Sequence, residues 1–128
     1  MLADKIQIKR GSTREEFEYY DTMEEVIALP YYDKIEYIMC RNCNLTKLPD
    51  ELPKKLLGLY CENNLLTELP ELPHRLMELT CSDNLLTKLP ELVVMLDEGT
   101  FNLDFSKLKR LWCCNNKLRS LPRLPKTM

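Results

Sequence analysis

Cysteine is the residue type whose number and spacing first suggest chemistry in this sequence. Six cysteines stand among 128 residues, and two pairs are closely spaced, Cys40-x-x-Cys43 and Cys113-Cys114. Thiolate pairs at short spacing are typical of tetrahedral zinc sites, and thiols that lie close together in a fold can form disulfides. The position of each cysteine in the chain therefore decides what its presence means.

A sequence repeat accounts for the cysteine positions. Residues 56–72 and 76–92 superimpose with a shift of 20 positions, which pairs Cys61 with Cys81 and Asn64 with Asn84. Further copies lie at residues 35–49 and 108–125. Each copy reads Leu-x-x-Leu-x-Cys-x-x-Asn-x-Leu-x-x-Leu-Pro, with Ile at the two leading positions and Cys43 at the asparagine position of the earliest copy. This is the signature of a leucine-rich repeat.

The form of this repeat, with its trailing Leu-Pro-x-Leu-Pro, resembles the short-repeat leucine-rich-repeat proteins found among secreted bacterial effectors and in giant viruses. The resemblance covers residues 35–125. It implies an α/β-type repeat solenoid, a right-handed coil with a parallel β-sheet on its concave face. Because proline lacks a backbone donor and keeps its predecessor extended, the Leu-Pro pairs predict mostly extended convex segments.

Alternation within each predicted strand separates an inward set of side chains from an outward set. The inward set forms one aliphatic column and one cysteine column, in which cysteine serves as a small apolar residue. These columns are Ile38, Leu59, Leu79 and Leu111, then Cys40, Cys61, Cys81 and Cys113. The asparagines that follow the strands, Asn64, Asn84 and Asn116, are expected to pair with backbone groups that the turn leaves unpaired.

Two stretches depart from the repeat. Residues 96–107 are interpreted as a shortened copy that has lost its convex half, with Phe101 in the cysteine position. Gly99 fills a leucine position there, which leaves irregular packing as an open alternative.

Residues 1–34 form the other departure and are interpreted as an N-terminal cap that covers the first repeat, with the repeats occupying residues 35–128. Ile6 and Ile8 alternate with polar residues, Gly11-Ser12 supplies a turn, and Phe17 and Tyr19 alternate again, which favours a hairpin. Thr22 and Glu25 form a capping-box pair for one short helix. The alternative is a longer amphipathic helix over residues 14–29.

The repeat argues against catalysis or metal binding by the cysteines. Cys40 occupies a core position and Cys43 an asparagine position, so structural roles account for both. Effectors with these repeats can carry a separate ubiquitin-ligase domain whose nucleophile lies in a Cys-x-Asp motif, and Cys81-Ser82-Asp83 matches those letters. Cys81, however, falls in the buried column, where a thiol is poorly reactive. His74 follows Leu72-Pro73 on the convex turn and is expected to be a surface residue. We predict no catalytic residue, metal or cofactor.

The outward strand positions are the candidate partner-binding residues. They combine aromatic and charged side chains, and aromatic residues with arginine are the anchors that protein interfaces concentrate. The predicted contact residues are Tyr37, Met39, Arg41, Tyr60, Glu62, Glu78, Thr80, Ser82, Arg110 and Trp112.

Charge and hydropathy narrow the partner class. The net charge of −2 and pI near 5.5 give no general case for nucleic acid, which we do not expect as a partner. The chain shows no signal peptide and no apolar run of membrane-spanning length, so we expect an intracellular, cytoplasmic protein without a membrane partner. From Ser106 onward the sequence has basic residues and no Asp or Glu, for which an acidic partner surface and solvation of the last coil are open alternatives. No polar capping unit follows the last repeat, and this exposed end suggests homodimerisation through residues 108–124.

The sequence therefore favours a protein-binding scaffold, effector-like and acting in a host cell as the resemblance implies, and not an enzyme. Two alternatives stay open. The chain could select substrates for a ubiquitin ligase supplied by another chain, or it could be a structural protein that associates with itself.

Overall fold

The computed structural model describes residues 4–10, 17–90, 94–97, 100–102 and 108–122, with backbone alone at 94–97 and 100–102. Eight short strands, one α-helix and one 3-10 helix occupy this part of the chain. In chain order they are β1 (Ile6–Lys9), β2 (Glu18–Tyr20), α1 (Met23–Ile27), the 3-10 helix Tyr32–Lys34, β3 (Tyr37–Met39), β4 (Gly58–Tyr60), β5 (Glu78–Thr80), β6 (Val94–Asp97), β7 (Thr100–Asn102) and β8 (Arg110–Trp112).

Six of these strands form one sheet in the order β2-β1-β3-β4-β5-β8. The four strands contributed by the repeats are parallel and in register, so that Ile38, Leu59, Leu79 and Leu111 lie side by side. A parallel connection needs a long return of the chain, and here the residues between one strand and the next supply it. The repeats thus stack equivalent residues into columns across the sheet.

The return segments after β3 and β4 contain bends and turns but no α-helix, and residues 40–57 and 61–77 are described throughout. Their Leu-Pro pairs place leucine inward, since Leu48 and Leu69 are buried, and so is Leu89 in the segment after β5. Proline after each leucine holds the backbone extended and removes the donor that a helix would require. The predicted extended character of these segments agrees with this geometry.

The core lies on one side of the sheet, where the predicted inward columns meet the return segments. Ile38, Leu59 and Leu79 have no exposed surface, and neither do Cys40, Cys61 and Cys81. Leu111 and Cys113 are only partly buried, because β8 forms the edge of the sheet within the described residues. A fully buried leucine contributes roughly 1.5–3 kcal/mol relative to an exposed one, so these columns hold the strands together.

A ladder of asparagine side chains ties successive repeats together at the ends of the strands. The Asn84 amide oxygen accepts a hydrogen bond from the Leu66 backbone amide at 3.1 Å, and its Nδ2 donates to the carbonyls of Cys61 and Cys81 at 3.0 and 3.1 Å. Asn116 repeats this pattern toward Leu86, Cys81 and Cys113. The predicted pairing of asparagine with turn backbone groups is present in each of these repeats.

The segment before the repeats covers the first parallel strand. β1 pairs antiparallel with β2 on one side and with β3 on the other, so the edge of β3 is not exposed to other chains. Thr22 caps α1, because its side chain accepts from the Glu25 amide at 3.3 Å. The structure therefore has a hairpin and a short helix. The longer helix over residues 14–29 is wrong because Glu18–Tyr20 is a strand. The predicted Gly11-Ser12 turn lies outside the described residues.

The segment between the third and last repeats differs from the shortened copy predicted there. β5 pairs directly with β8, and β6 pairs antiparallel with β7 in a separate two-stranded sheet. The backbone of Phe101 is opposite Met95 in this hairpin and does not occupy a position in the column of repeat cysteines. The irregular packing suggested by Gly99 is closer to this result, although Gly99 itself lies outside the described residues.

Candidate functional site

The cysteines are arranged as core residues. All six lie among the described residues and all are free thiols. Burial raises the pKa of Cys81 to about 12, and it raises the pKa of Cys40 and of Cys61 well above the usual range of a thiol. Within the described ranges no His, Cys, Asp and Glu side chains are grouped so that three of them could hold a metal ion.

The Cys81-Ser82-Asp83 segment lacks the geometry of a nucleophilic site. Cys81 is fully buried, so its thiol meets no solvent or substrate. Asp83 points elsewhere, since its Oδ1 accepts a hydrogen bond from Asn115 Nδ2 at 2.8 Å. His74 is exposed in the turn before β5. A thiol with a raised pKa is a weak nucleophile at neutral pH. Cys81 is therefore a core residue of the repeat, and the arrangement of residues 81–83 does not support nucleophilic catalysis.

The raised pKa values predict that the protein loses stability in alkaline solution. A thiol in the unfolded chain has its ordinary pKa near 9, whereas the folded value at Cys81 is about 12. Above pH 9 the unfolded state therefore releases protons that the folded state retains, and the free energy of unfolding falls as pH rises. Tyr60 acts in the same direction at higher pH, because burial and its hydrogen bond to Glu78 raise its pKa.

Urea unfolding midpoints measured under reducing conditions from neutral pH upward test this prediction. We expect a constant midpoint below about pH 8 and a steady decrease beyond pH 9. The variant Cys114→Ser, which removes an exposed thiol, is the control and keeps the same decrease. A midpoint that stays constant up to pH 10 would contradict the prediction.

The side of the sheet opposite the core, here called the outer face, presents three rows of side chains across the strands. The register places Lys9, Tyr37, Gly58, Glu78 and Arg110 in the first row and Gln7, Met39, Tyr60, Thr80 and Trp112 in the second. The third row follows each parallel strand and contains Arg41, Glu62, Ser82 and Cys114. All ten predicted contact residues lie in these rows, so the structure brings them together on one surface.

Exposure differs strongly along the second row. The Trp112 side chain is 53% exposed, while Tyr60 and Met39 are partly buried. Thr80 is only 3% exposed, because it lies between Tyr60 and Trp112 in the register and its hydroxyl donates to Glu62 Oε1 at 2.9 Å. Thr80 therefore supports its neighbours and offers almost no surface to a partner, unlike the expectation from its outward position.

Gly58 provides the space in which two tyrosine rings pack over β4. A Cβ atom at this position would lie 2.9 Å from Tyr37 Cδ1 and 2.9 Å from both Cε2 and Oη of Tyr60. Such a distance is far inside van der Waals contact, so any larger residue would displace the rings. The glycine at an outward strand position thus sets where the Tyr60 hydroxyl lies.

Two acidic side chains near the centre of the outer face, Glu78 on β5 and Glu62 just after β4, both contact residues of neighbouring repeats. Glu78 accepts from the Tyr60 hydroxyl at 2.6 Å and lies 3.6 Å from Arg110 Nη1. Glu62 lies 3.0 Å from Arg41 Nε, and the Arg41 guanidinium also lies over the Tyr60 ring at 5.3 Å. Exposed ion pairs stabilise a fold little, but these contacts hold the outer side chains in defined positions.

The N-terminal hairpin extends the outer face beyond the predicted residues. Tyr19 lies opposite Gln7 and is 58% exposed, and Lys9 Nζ lies 5.6 Å from the Phe17 ring and 5.9 Å from the Tyr37 ring. The alternation of Ile6 and Ile8 with Gln7 and Lys9 separates a buried side of β1 from an exposed one. The pairing of β1 with β3 then decides which face of the sheet the exposed residues of the hairpin join.

Two exposed leucines form a second apolar feature, on the return segments and away from the outer face. Leu65 is 49% exposed and Leu85 is 38% exposed, and they occupy equivalent positions in successive repeats. Their backbones are tied to the preceding repeats through Leu45 and Leu66. An open groove of about 270 Å³ lies elsewhere, between α1 and the first return segment, and its lining includes Met23, Ile27 and Pro49. Glu24, Lys47 and Asp50 also line this groove, where Lys47 Nζ lies 3.0 Å from Asp50 Oδ1 in an exposed ion pair of the first return segment.

Comparison with solved structures identifies the architecture. A structure described as "Structure of Shigella effector LRR domain" superimposes with a TM-score of 0.59 and 33% sequence identity, covering 73% of this chain and 37% of that one. The chain has a leucine-rich-repeat fold. It spans little more than a third of the Shigella domain. No protein-family model and no curated protein matches the sequence.

In the described part of the chain, no helix has the length and apolar character needed to cross a membrane.

Proposed function

We propose that this leucine-rich-repeat chain is a protein-binding scaffold that holds its partner on the outer face of the sheet, the concave face of a short-repeat solenoid. The observation that carries the proposal is the second row of the outer face, where the half-exposed Trp112 stands beside residues fixed by hydrogen bonds. An indole already desolvated on one side is the kind of anchor that contributes most of the energy in protein interfaces.

The contacts of Glu62 and Glu78 support this proposal because they order the side chains of the outer face before a partner binds. Tyr60, Glu78 and Arg110 are linked across three strands, and so are Arg41, Glu62 and Thr80. Side chains that are already ordered lose less conformational freedom on binding than mobile ones, which raises affinity. The proposal extends to an effector-like role in the cytoplasm of a host cell, for which the likeness to a Shigella effector domain is the support.

Affinity capture from host-cell lysate, followed by binding measurements with the purified partner, tests the proposal. We expect Trp112→Ala to weaken binding by roughly 2 kcal/mol or more, about 25-fold in Kd. Tyr60→Phe removes the hydroxyl that orients Glu78 and is expected to weaken binding by a smaller amount.

The exposed leucines supply the matched control for this experiment. Leu65→Ser with Leu85→Ser removes apolar surface from the return segments and leaves the outer face unchanged. Retained binding by this double variant and lost binding by Trp112→Ala support the outer face as the contact surface. The reverse pattern would assign the contact to the leucines and contradict the proposal.

A further inference from the structure

The charges of the outer face indicate the chemistry of the partner, given the proposed function. Two carboxylates near its centre are occupied, Glu78 on β5 by Tyr60 and Arg110, and Glu62 just after β4 by Arg41 and Thr80. A cationic partner would have to displace these contacts. The face therefore offers no free anionic group at its centre.

Two exposed cations, Arg110 and Lys109, lie at the β8 side of the sheet. The Arg110 side chain is 65% exposed, and its contact with Glu78 is long at 3.6 Å. Lys109 is exposed at the start of the strand and has no ion pair within the described part of the chain. Residues 108–122 contain four basic side chains and no Asp or Glu, so this stretch is positively charged although the whole chain has a net charge of −2.

Trp112 adds an apolar surface to this positive region. It lies two residues after Arg110 on the same strand, so both side chains project from the same face. Trp112 is 53% exposed and presents an apolar surface beside these exposed cations. A complementary ligand therefore needs carboxylates next to an apolar side chain.

We propose that the β8 side of the outer face, formed by Arg110 and Trp112 with the exposed Lys109 immediately before the strand, binds an acidic segment of a partner protein in which an apolar side chain is flanked by Asp or Glu. The apolar side chain packs on the Trp112 ring, and the carboxylates pair with Arg110 and Lys109. This proposal rests on the proposed function and specifies the partner that the scaffold holds.

Trp112 is the only tryptophan of the chain, so its fluorescence reports on this surface directly. The probe is a short peptide of glutamates with two central leucines, capped at both ends. Titration is expected to give a saturable blue shift of Trp112 emission. Binding is expected to weaken strongly as salt rises from 0.1 M to 1 M, because the screening length falls from about 10 Å to about 3 Å.

Two double variants with the same change in net charge locate the site. Lys109→Gln with Arg110→Gln is expected to weaken binding of a labelled probe peptide roughly tenfold, the equivalent of about 1.4 kcal/mol. Lys117→Gln with Arg119→Gln removes two exposed cations from the return segment of the same repeat. That control is expected to bind within about twofold of the natural protein, and circular dichroism verifies that both variants are folded.

Several outcomes overturn the proposal. They are the absence of an emission shift, equal binding of a peptide in which lysines replace the glutamates, equal loss in both double variants, or binding that is insensitive to salt. If a captured partner still depends on Trp112 while the acidic peptide does not bind, the scaffold function stands and the acidic chemistry fails. If neither the partner nor the peptide depends on Trp112, both proposals fail together.

Discussion

Replacing Leu66 with alanine is expected to lower the free energy of unfolding by about 2–5 kcal/mol, whereas the same change at the adjacent Leu65 alters it by less than about 0.5 kcal/mol. Leu66 has no exposed surface and packs in the core between repeats, while Leu65 is 49% exposed. The loss at Leu66 combines the removed apolar contact with a cavity that the stacked repeats cannot fully close.

Comparing Leu66→Ala with Leu65→Ala tests which of the two leucine side chains points into the core. The Leu66 backbone amide donates to Asn84 and its carbonyl accepts from the Leu85 amide, and both bonds survive in the alanine variant. Urea unfolding followed by circular dichroism gives the two free energies, and an unchanged slope with denaturant confirms that the unfolded state is comparable. Similar losses at both positions would contradict the inward orientation of the leucine columns.

The repeat made the columns of the core predictable from the sequence. A 20-residue shift pairs residues that must occupy equivalent places, and the two-residue alternation of a strand then assigns each to a face. The burial of Leu59, Leu79, Cys61 and Cys81 follows from these two periods alone. The role of Asn84 followed as well, because the ends of the strands leave backbone donors and acceptors without partners.

The N-terminal region was ambiguous because two periodicities fit the same letters. Thr22 and Glu25 form a capping box for a helix that begins at Met23, whereas a helix over residues 14–29 would place Thr22 in its interior, and the apolar residues at helical spacing still fitted the longer helix. The choice depends on pairing between β1 and β3, which lie far apart in the sequence. Tertiary contacts of this kind override local pattern. The hairpin of β6 and β7 is a similar case. The leucine positions in this part of the sequence depart from the 20-residue repeat, so its strand pairing could not be predicted from the repeat.

The outer face was predictable in composition but not in geometry. Alternation identified the outward residues, yet the burial of Thr80 depends on the sizes and conformations of Tyr60 and Trp112 on either side. The contact of the Tyr60 hydroxyl with Glu78 depends in turn on the space left by Gly58. The two-residue period of a strand predicts the face on which a side chain lies, but its rotamer depends on the residues packed around it. The hydrogen bonds around Glu62 and Glu78 were therefore not predictable from the sequence.

Asn64 is the position at which the loss of a polar side chain is expected to be most damaging. Its amide oxygen accepts from the backbone amides of Cys43 and Leu45, both at 3.0 Å, and its Nδ2 donates to the carbonyls of Cys40 and Cys61 at 2.8 and 3.0 Å. The residue is 6% exposed, so water cannot replace these partners. The asparagine thereby joins two repeats at the point where Cys43 interrupts the ladder of amide side chains.

Asn64→Ala is expected to lower the free energy of unfolding by about 3 kcal/mol or more, because each buried backbone group left without a partner costs about 1–3 kcal/mol. The adjacent Asn63 is the control: it is exposed, donates to the Asn42 side chain, and has a φ of 59° that glycine adopts freely. Asn63→Gly is therefore expected to change stability by less than about 1 kcal/mol. Hydrogen exchange of the Cys43 and Leu45 amides gives an independent measurement, since both should exchange faster in Asn64→Ala and remain protected in Asn63→Gly. If Asn64→Ala left the protection and the unfolding midpoint unchanged, the repeats would be held by their apolar columns alone, and the ladder would contribute nothing to their association.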